Sequence, residues 1–305
     1  MKRIAAFIML MLTTFFWGLT FTIVKDAVAQ VDVFVFLAQR FVLAFILLLI
    51  ICVVRGSTLR AITVWHGFVM GVFLFSAYAF QTVALLYTTA SNTGFLTGLN
   101  VVFVPLIGLI WFRQAIPFNL LLAVICAVAG LFLLCTNGTW QFNRGDILAM
   151  ICAVCVALHL ILTSTYARRD ESDVYWLTAI QIGTVGLLST VFSLVKGQAV
   201  LQYHPEITWA LLICALCATV FAFLVQTSMQ RFISPANTAL IFCTEPVFSA
   251  IYAWYAAGER LGVIGFCGAA LIMAGMLVSE LFPKRRYSDS VSTSTVLIEQ
   301  HSGEL

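Results

Sequence analysis

Glu245 stands directly before Pro246 inside a stretch of otherwise apolar residues. A carboxyl group there can take a proton from one side and release it to the other, pair with the ammonium of a small molecule, or hydrogen-bond a neighbouring helix as a packing lock. At helical spacing Thr238, Phe242, Glu245 and Ser249 fall close to one face. Asn100 belongs to a second polar set, with Thr93 and Thr97 on the matching face. Gln81 and Gln226 each carry an amide that both donates and accepts, which suits a zwitterionic or polar ligand and equally suits glue between helices. Arg40 can pair with a carboxylate, attract an anionic group or snorkel to an interface. His159 can relay a proton or sit as a satisfied packing histidine. Trp17, with Thr13 and Thr20 on its face, is either core packing or an aromatic wall.

The elements that position these groups follow from composition. The chain has 305 residues, 62% apolar and 10% charged, with mean hydropathy +1.04. A soluble domain is about half apolar and about a quarter charged. So few charges cannot solvate the outside of a soluble globule, which excludes an ordinary water-soluble enzyme and a disordered chain. A net charge of +3, from scattered residues, gives no basic patch for nucleic acid. The apolar residues arrive in ten runs, 4–24, 32–54, 64–86, 93–112, 118–135, 147–165, 175–195, 207–228, 236–257 and 261–282. Each is close to the roughly 20 residues that a helix needs to cross the hydrocarbon core. The alternation of an outer-membrane barrel is absent. The expected fold is an all-α polytopic membrane protein whose immediate partner is the lipid bilayer.

Lys2, Arg3 and the small residues of Ala27-Val28-Ala29 mimic a signal peptide, but the run 4–24 is longer than a signal core, and Lys25 and Asp26 intrude before the supposed site. The first helix is expected to be retained. With the N-terminus in the cytoplasm, eleven basic residues fall on the inner side, four on the outer, and Arg40 inside a span. Both termini are therefore expected in the cytoplasm, at a cell inner membrane, which requires an even helix count.

The nine cysteines all fall inside spans and read as small apolar residues. Cys152/Cys155 and Cys214/Cys217 have CxxC spacing, yet thiolates in hydrocarbon would be costly and no basic neighbour favours them. No metal or cofactor is expected. No GxxxxGK[ST] occurs, so nucleotide is not the driver.

Sliding the chain by 145 residues places Gln81-Thr82 on Gln226-Thr227, Asn92-Thr93 on Asn237-Thr238, Val102-Phe103 on Val247-Phe248 and Ala129-Gly130 on Ala274-Gly275. The same offset pairs Asn100 with Glu245. The expected organisation is two five-helix repeats, 1–138 and 139–282, followed by a polar Ser/Thr-rich cytoplasmic tail, 283–305, read as disordered. Five is odd, so the second repeat enters the membrane from the opposite side, the architecture that supports alternating access. Gly67/Gly71 and Gly94/Gly98 are small-xxx-small pairs that point to close helix crossings.

Trp17-Gly18, Arg40-Phe41, Pro105, Gly145-Asp146 and Glu245-Pro246 followed by Gly258-Glu259-Arg260-Leu261 resemble the EamA-type permeases of the drug/metabolite transporter superfamily, over about 4–282. One departure is visible: Arg113-Gln114 stands where the second half has Gly258-Glu259, so a role needing that glutamate twice does not transfer. The resemblance implies a non-enzymatic secondary transporter of small-molecule substrates, an exporter of amino acids or related compounds, working as a monomer or homodimer. A drug or lipid-linked efflux carrier of the same fold is the alternative. A membrane enzyme is a remote one, since no clustered His/Asp/Glu constellation has catalytic spacing. The residues assigned to the substrate pathway are Glu245, Asn100, Gln81, Gln226, Trp17, Thr97 and Ser249, with Glu245, Arg40 and His159 as possible coupling or ion-pair groups.

Overall fold

A computed structural model describes residues 2–136, 142–169, 172–200, 205–257 and 262–281; the tail 283–305 and the Gly258–Leu261 motif lie outside the described residues. Regular structure among them is helical: α1 (Lys2–Val28), α2 (Val33–Val54), α3 (Ala61–Ala84), α4 (Ala90–Gly98), α5 (Asn100–Phe112), α6 (Phe118–Thr136), α7 (Arg144–Ala167), α8 (Val174–Val195), α9 (Thr208–Ala215), α10 (Ala222–Met229), α11 (Pro235–Phe242), α12 (Glu245–Ala257) and α13 (Val263–Leu281). Among the described residues, eight stretches have the length and hydropathy to cross a bilayer. The α11–α12 pair and α13 complete the ten-helix transmembrane fold of two inverted five-helix repeats. Apolar side chains such as Ile46, Ile50, Ile110, Ile125, Leu187 and Val191 are exposed on its outside, where lipid solvates them.

Helix pairing follows the 145-residue offset. Under it α1 exchanges with α7, α2 with α8, α3 with α9–α10, α4 with α11, α5 with α12 and α6 with α13. The pairs α2–α8, α6–α13 and α5–α11 either map onto themselves or have their images in contact, as do α3–α7 with α1–α10, and α1–α12 with α5–α7. At the α6–α13 crossing a Cβ on Gly130 would lie 2.6 Å from the Gly268 carbonyl oxygen, and one on Gly275 would lie 2.7 Å from that of Ala123. Only residues without a Cβ permit that approach from both repeats.

Two spans read as continuous from the sequence are broken. The run 93–112 divides at Leu99, and 236–257 divides at Cys243–Thr244. In the second, Pro246 has no N–H to offer the Phe242 carbonyl, so the helix restarts at Glu245 with the proline in its first turn, where a missing donor costs little. The offset places Leu99 on Thr244, so the breaks are related by the repeat. They also meet: the Cys243 thiol lies 3.6 Å from the Gly98 carbonyl oxygen, as donor. The eighth span departs as well. Residues Leu216–Phe221 form a π-helical turn between α9 and α10, so the Cys214/Cys217 pair does not lie on a regular α-helix.

Gly145 and Asp146 join the repeats at the start of α7. Asn143 and Asp146 form a capping box, and Asp146 also accepts from Thr88 Oγ1 at 2.8 Å. A Cβ on Gly145 would meet the Ala84 carbonyl oxygen at 2.9 Å. Asp146→Ala should therefore lower stability by about 1–2 kcal/mol, the usual cost of a lost cap. Thermal unfolding in detergent checks this, and an unchanged midpoint would contradict it.

Candidate functional site

The two breaks put Asn100 at the first position of α5 and Glu245 at the first position of α12. Both side chains line one cavity of about 470 Å³. The cavity runs between the repeats. Thr22, Val24 and Lys25 of α1, Thr89 before α4, Leu134 of α6 and Ser249 and Ala250 of α12 line it toward the membrane side where α1 ends. Phe242, Leu160, Gln226 and Gly98 line it at depth. Beyond them Leu10, Leu240, Ile241 and Gln230 are fully buried, so the bundle is closed toward the side where α1 begins.

All nine residues singled out from the sequence line this cavity: Trp17, Arg40, Gln81, Thr97, Asn100, His159, Gln226, Glu245 and Ser249. Thr93 and Thr238 do not: each lies one turn from a lining residue of its own helix, Thr97 and Phe242, is fully buried, and donates its hydroxyl back to the Thr89 or Ser234 carbonyl. Gly94 does not mark a tight crossing. Among the described residues a Cβ there would find only Pro246 Cγ, at 4.0 Å, and the residue borders the cavity. Gly67 and Gly71 do face a neighbour closely, with Cβ positions 2.7 Å from Ile180 and 2.5 Å from Thr184 on α8.

Among the described residues, no hydrogen bond or ion pair reaches the Glu245 carboxyl, which is partly open to the cavity. It stands at a helix N-terminus, whose positive dipole end favours an acidic group. Its repeat mate Asn100 is 5% exposed, donates from Nδ2 to the Thr97 carbonyl at 2.8 Å, and leaves Oδ1 buried without a donor among the described residues. The Gln pair is divided in the same way. Gln81 is partly open to the cavity, whereas Gln226 is 1% exposed, donates to Gln230 Oε1 and leaves Oε1 without a donor among the described residues. Buried orphan acceptors each cost on the order of 1–3 kcal/mol, and no N–H among the described residues satisfies these two oxygens.

His159 belongs to both the cavity wall and a packing network. Its Nε2 is 2.8 Å from Gln181 Oε1, and Gln181 Nε2 donates to Thr227 Oγ1 at 3.1 Å. With the Gln181 amide oriented in this way, the imidazole donates through Nε2.

Arg40 does not snorkel. It is 2% exposed and reaches the π turn: Nε donates to Thr219 Oγ1 at 2.8 Å, and Nη2 to the Ala218 carbonyl at 3.2 Å. Trp17 Nε1 donates to the same carbonyl at 2.9 Å, so Trp17 is a fixed wall of the cavity rather than free apolar packing. Its ring packs on Phe242 and Phe223, with centroids 4.9 and 5.6 Å apart. Tyr78 was missed by the sequence reading. It lies under the Arg40 guanidinium, 5.1 Å from its ring centroid, and precedes Gln81 by three residues on the same face of α3; helical spacing from Gln81 would have found it.

The profile of the EamA-like transporter family matches residues 4–136 and again residues 143–281. An uncharacterized transporter of Archaeoglobus fulgidus is 30% identical over 282 residues, covering 92% of this chain and 87% of its own. The uncharacterized transporter YyaM of Bacillus subtilis is 28% identical over 293 residues, covering 92% and 94%. A solved crystal structure, 17% identical, shares the fold with a TM-score of 0.76 over 92% of this chain and 97% of that one. Two matched repeats, a multi-pass helical fold and transporter relatives along nearly their whole length lead to one conclusion: the chain belongs to the EamA-like transporter family.

Proposed function

We propose that the protein is a secondary transporter that exports amino acids or related small polar compounds by alternating access. The observation that carries this reading is the cavity between the repeats, closed on one side, where polar and ionisable groups of both halves converge at the helix breaks. Its volume of about 470 Å³ lies in the range of small-molecule sites. Glu245 offers an acceptor for a substrate ammonium or a carrier for a proton, and the orphan oxygens of Asn100 and Gln226 add acceptors beside it. The repeats are proposed as the bodies that rock, with boundaries near 1–138 and 139–282.

A second reading, an efflux carrier for drugs or lipid-linked apolar compounds, draws on the aromatic part of the wall: Trp17, Tyr78, Phe223 and Phe242. A flux screen in inverted vesicles separates the two. Amino acids as substrates support the first reading; flux confined to hydrophobic cations or lipid-linked compounds would replace it with the second.

The proposed location is the inner membrane with both termini cytoplasmic, so the open side of the cavity faces outward. Reporter fusions at Arg55 or Arg168 should then report cytoplasm, and one near Asn143 the outside. The reverse pattern would overturn this topology.

A further inference from the structure

We infer that Arg40 is the anion-binding residue of the cavity, so that the molecule carried has a carboxylate that docks on its guanidinium. This rests on the transporter reading and adds the residue that selects for the acid group.

Three observations support it. Arg40 is buried within a span and lines the cavity, yet among the described residues no carboxylate pairs with it. A charge at such depth costs several kcal/mol unless compensated or facing water. Its protein partners are neutral: a hydroxyl, a carbonyl and, at 3.5 Å, the Tyr78 hydroxyl. Neutral donors suffice to lock α2 and α1 to the π turn, as Trp17 already does on the Ala218 carbonyl. A cation adds desolvation cost without adding to that lock, which points to an anionic ligand.

The second observation is orientation. Nε and Nη2 are committed to the π turn, while Nη1, with two N–H donors, takes part in none of these bonds. Thr219 holds its own place by donating to the Cys214 carbonyl at 2.8 Å, a bond of the π-turn register that leaves its oxygen to accept from Arg40. The guanidinium is thus held before the ligand arrives, which lowers the ordering cost of binding.

The third is complementarity along the cavity. Among the described residues Arg40 is a cation without a carboxylate partner, and Glu245 a carboxyl without a hydrogen-bonded partner, on the same cavity. A zwitterion satisfies both ends at once; a simple amine satisfies only Glu245.

The test is ligand-induced thermal stabilisation of the purified full-length protein in neutral detergent. The probes are the twenty amino acids, the carboxamide of each, which keeps the ammonium and loses the acid, and sodium phosphate. At least one amino acid should raise the unfolding midpoint by several degrees and its carboxamide should not. Arg40→Gln should abolish the shift. Arg40→Lys, which keeps the charge but not the planar fork, should retain a reduced one. Thr219→Val leaves the charge in place and removes the Nε acceptor, so it should weaken binding about tenfold, for one charge-assisted bond, while keeping the preference for acid over amide. That preference is a readout a purely structural arginine would not control, and Thr219→Val and Arg40→Lys report it even if Arg40→Gln fails to fold. The inference is overturned if carboxamides stabilise the wild type as well as the acids do, if Arg40→Gln keeps the shift, if phosphate alone produces one, or if no amino acid does. Stabilisation by carboxamides, with export of the same compounds, would overturn Arg40 while leaving the transporter reading intact.

Discussion

Glu245→Gln should leave the protein folded and able to exchange substrate across a vesicle membrane, yet abolish accumulation driven by a pH gradient. The substitution keeps the size and hydrogen-bonding capacity of the side chain and removes only its ability to gain and lose a proton. The environment makes that single property matter. The carboxyl stands at the break between α11 and α12, lines the cavity and has no hydrogen-bond or ion-pair partner among the described residues. A packing lock would show partners on a neighbouring helix. If Glu245 instead binds the substrate ammonium, Gln should weaken binding by about 10- to 100-fold at every pH, the usual worth of a charge-assisted hydrogen bond. Transport of wild type and variant measured against pH separates these results. Unchanged accumulation with unchanged pH dependence would remove Glu245 from the mechanism.

Gly18→Ala should lower transport at least ~10-fold without touching any polar group, because α1 and α12 meet there backbone to backbone. A Cβ at Gly18 would lie 2.8 Å from the Glu245 carbonyl oxygen, 2.8 Å from Phe248 Cβ and 3.0 Å from the Ser249 amide nitrogen. None of these is the end of a flexible chain, so relief requires α12 to move away from α1. Overpacking of this kind costs about 1–3 kcal/mol, and here it displaces the two cavity residues Glu245 and Ser249 together. It also disturbs Trp17, whose indole is tied to the π turn. Gly262→Ala is the matched control, since no described residue lies within 4 Å of its Cβ position. Wild-type transport by Gly18→Ala would show that α12 tolerates displacement and that the site is not positioned as described.

The polar positions were legible in the sequence for one physical reason. A strongly polar side chain in a run of lipid-soluble residues must turn away from lipid, so Gln81, Asn100, Gln226 and Glu245 had to face the interior, and the 145-residue offset added that they come in pairs. The breaks in α4–α5 and α11–α12 were less accessible. Pro246 announced a kink, but nothing local at Leu99 did, since Gly98 and Asn100 are both compatible with a continuous helix; only the offset from Thr244 singles it out. Thr93 and Thr238 share a helical face with the cavity residues Thr97 and Phe242 but are fully buried one turn away, and helical spacing does not encode how far along that face the cavity extends. The π turn left no trace in the apolar pattern, because Leu216–Phe221 fit an α-helix equally well. Without it, Arg40 looked free to snorkel or to pair, whereas it is held by Thr219 and Ala218. Gly94 and Gly98 share one spacing motif and differ in use: Leu131 Cδ1 lies 2.8 Å from the Cβ position of Gly98, while Gly94 borders open cavity. Such differences depend on which helix lies opposite, and spacing along one helix does not encode that.

Counterflow in sealed proteoliposomes, with no nucleotide present, tests the account most directly. Vesicles loaded with one unlabelled amino acid are diluted into a trace of the same labelled compound, and the panel is repeated for each amino acid. A cavity that opens to one side at a time must return label with each outward-carried molecule, so at least one amino acid should give a saturable, transient overshoot of internal label. A channel through the same fold would equilibrate label without overshoot. Absence of an overshoot for every amino acid, from protein shown to be folded in the vesicles, would contradict the account.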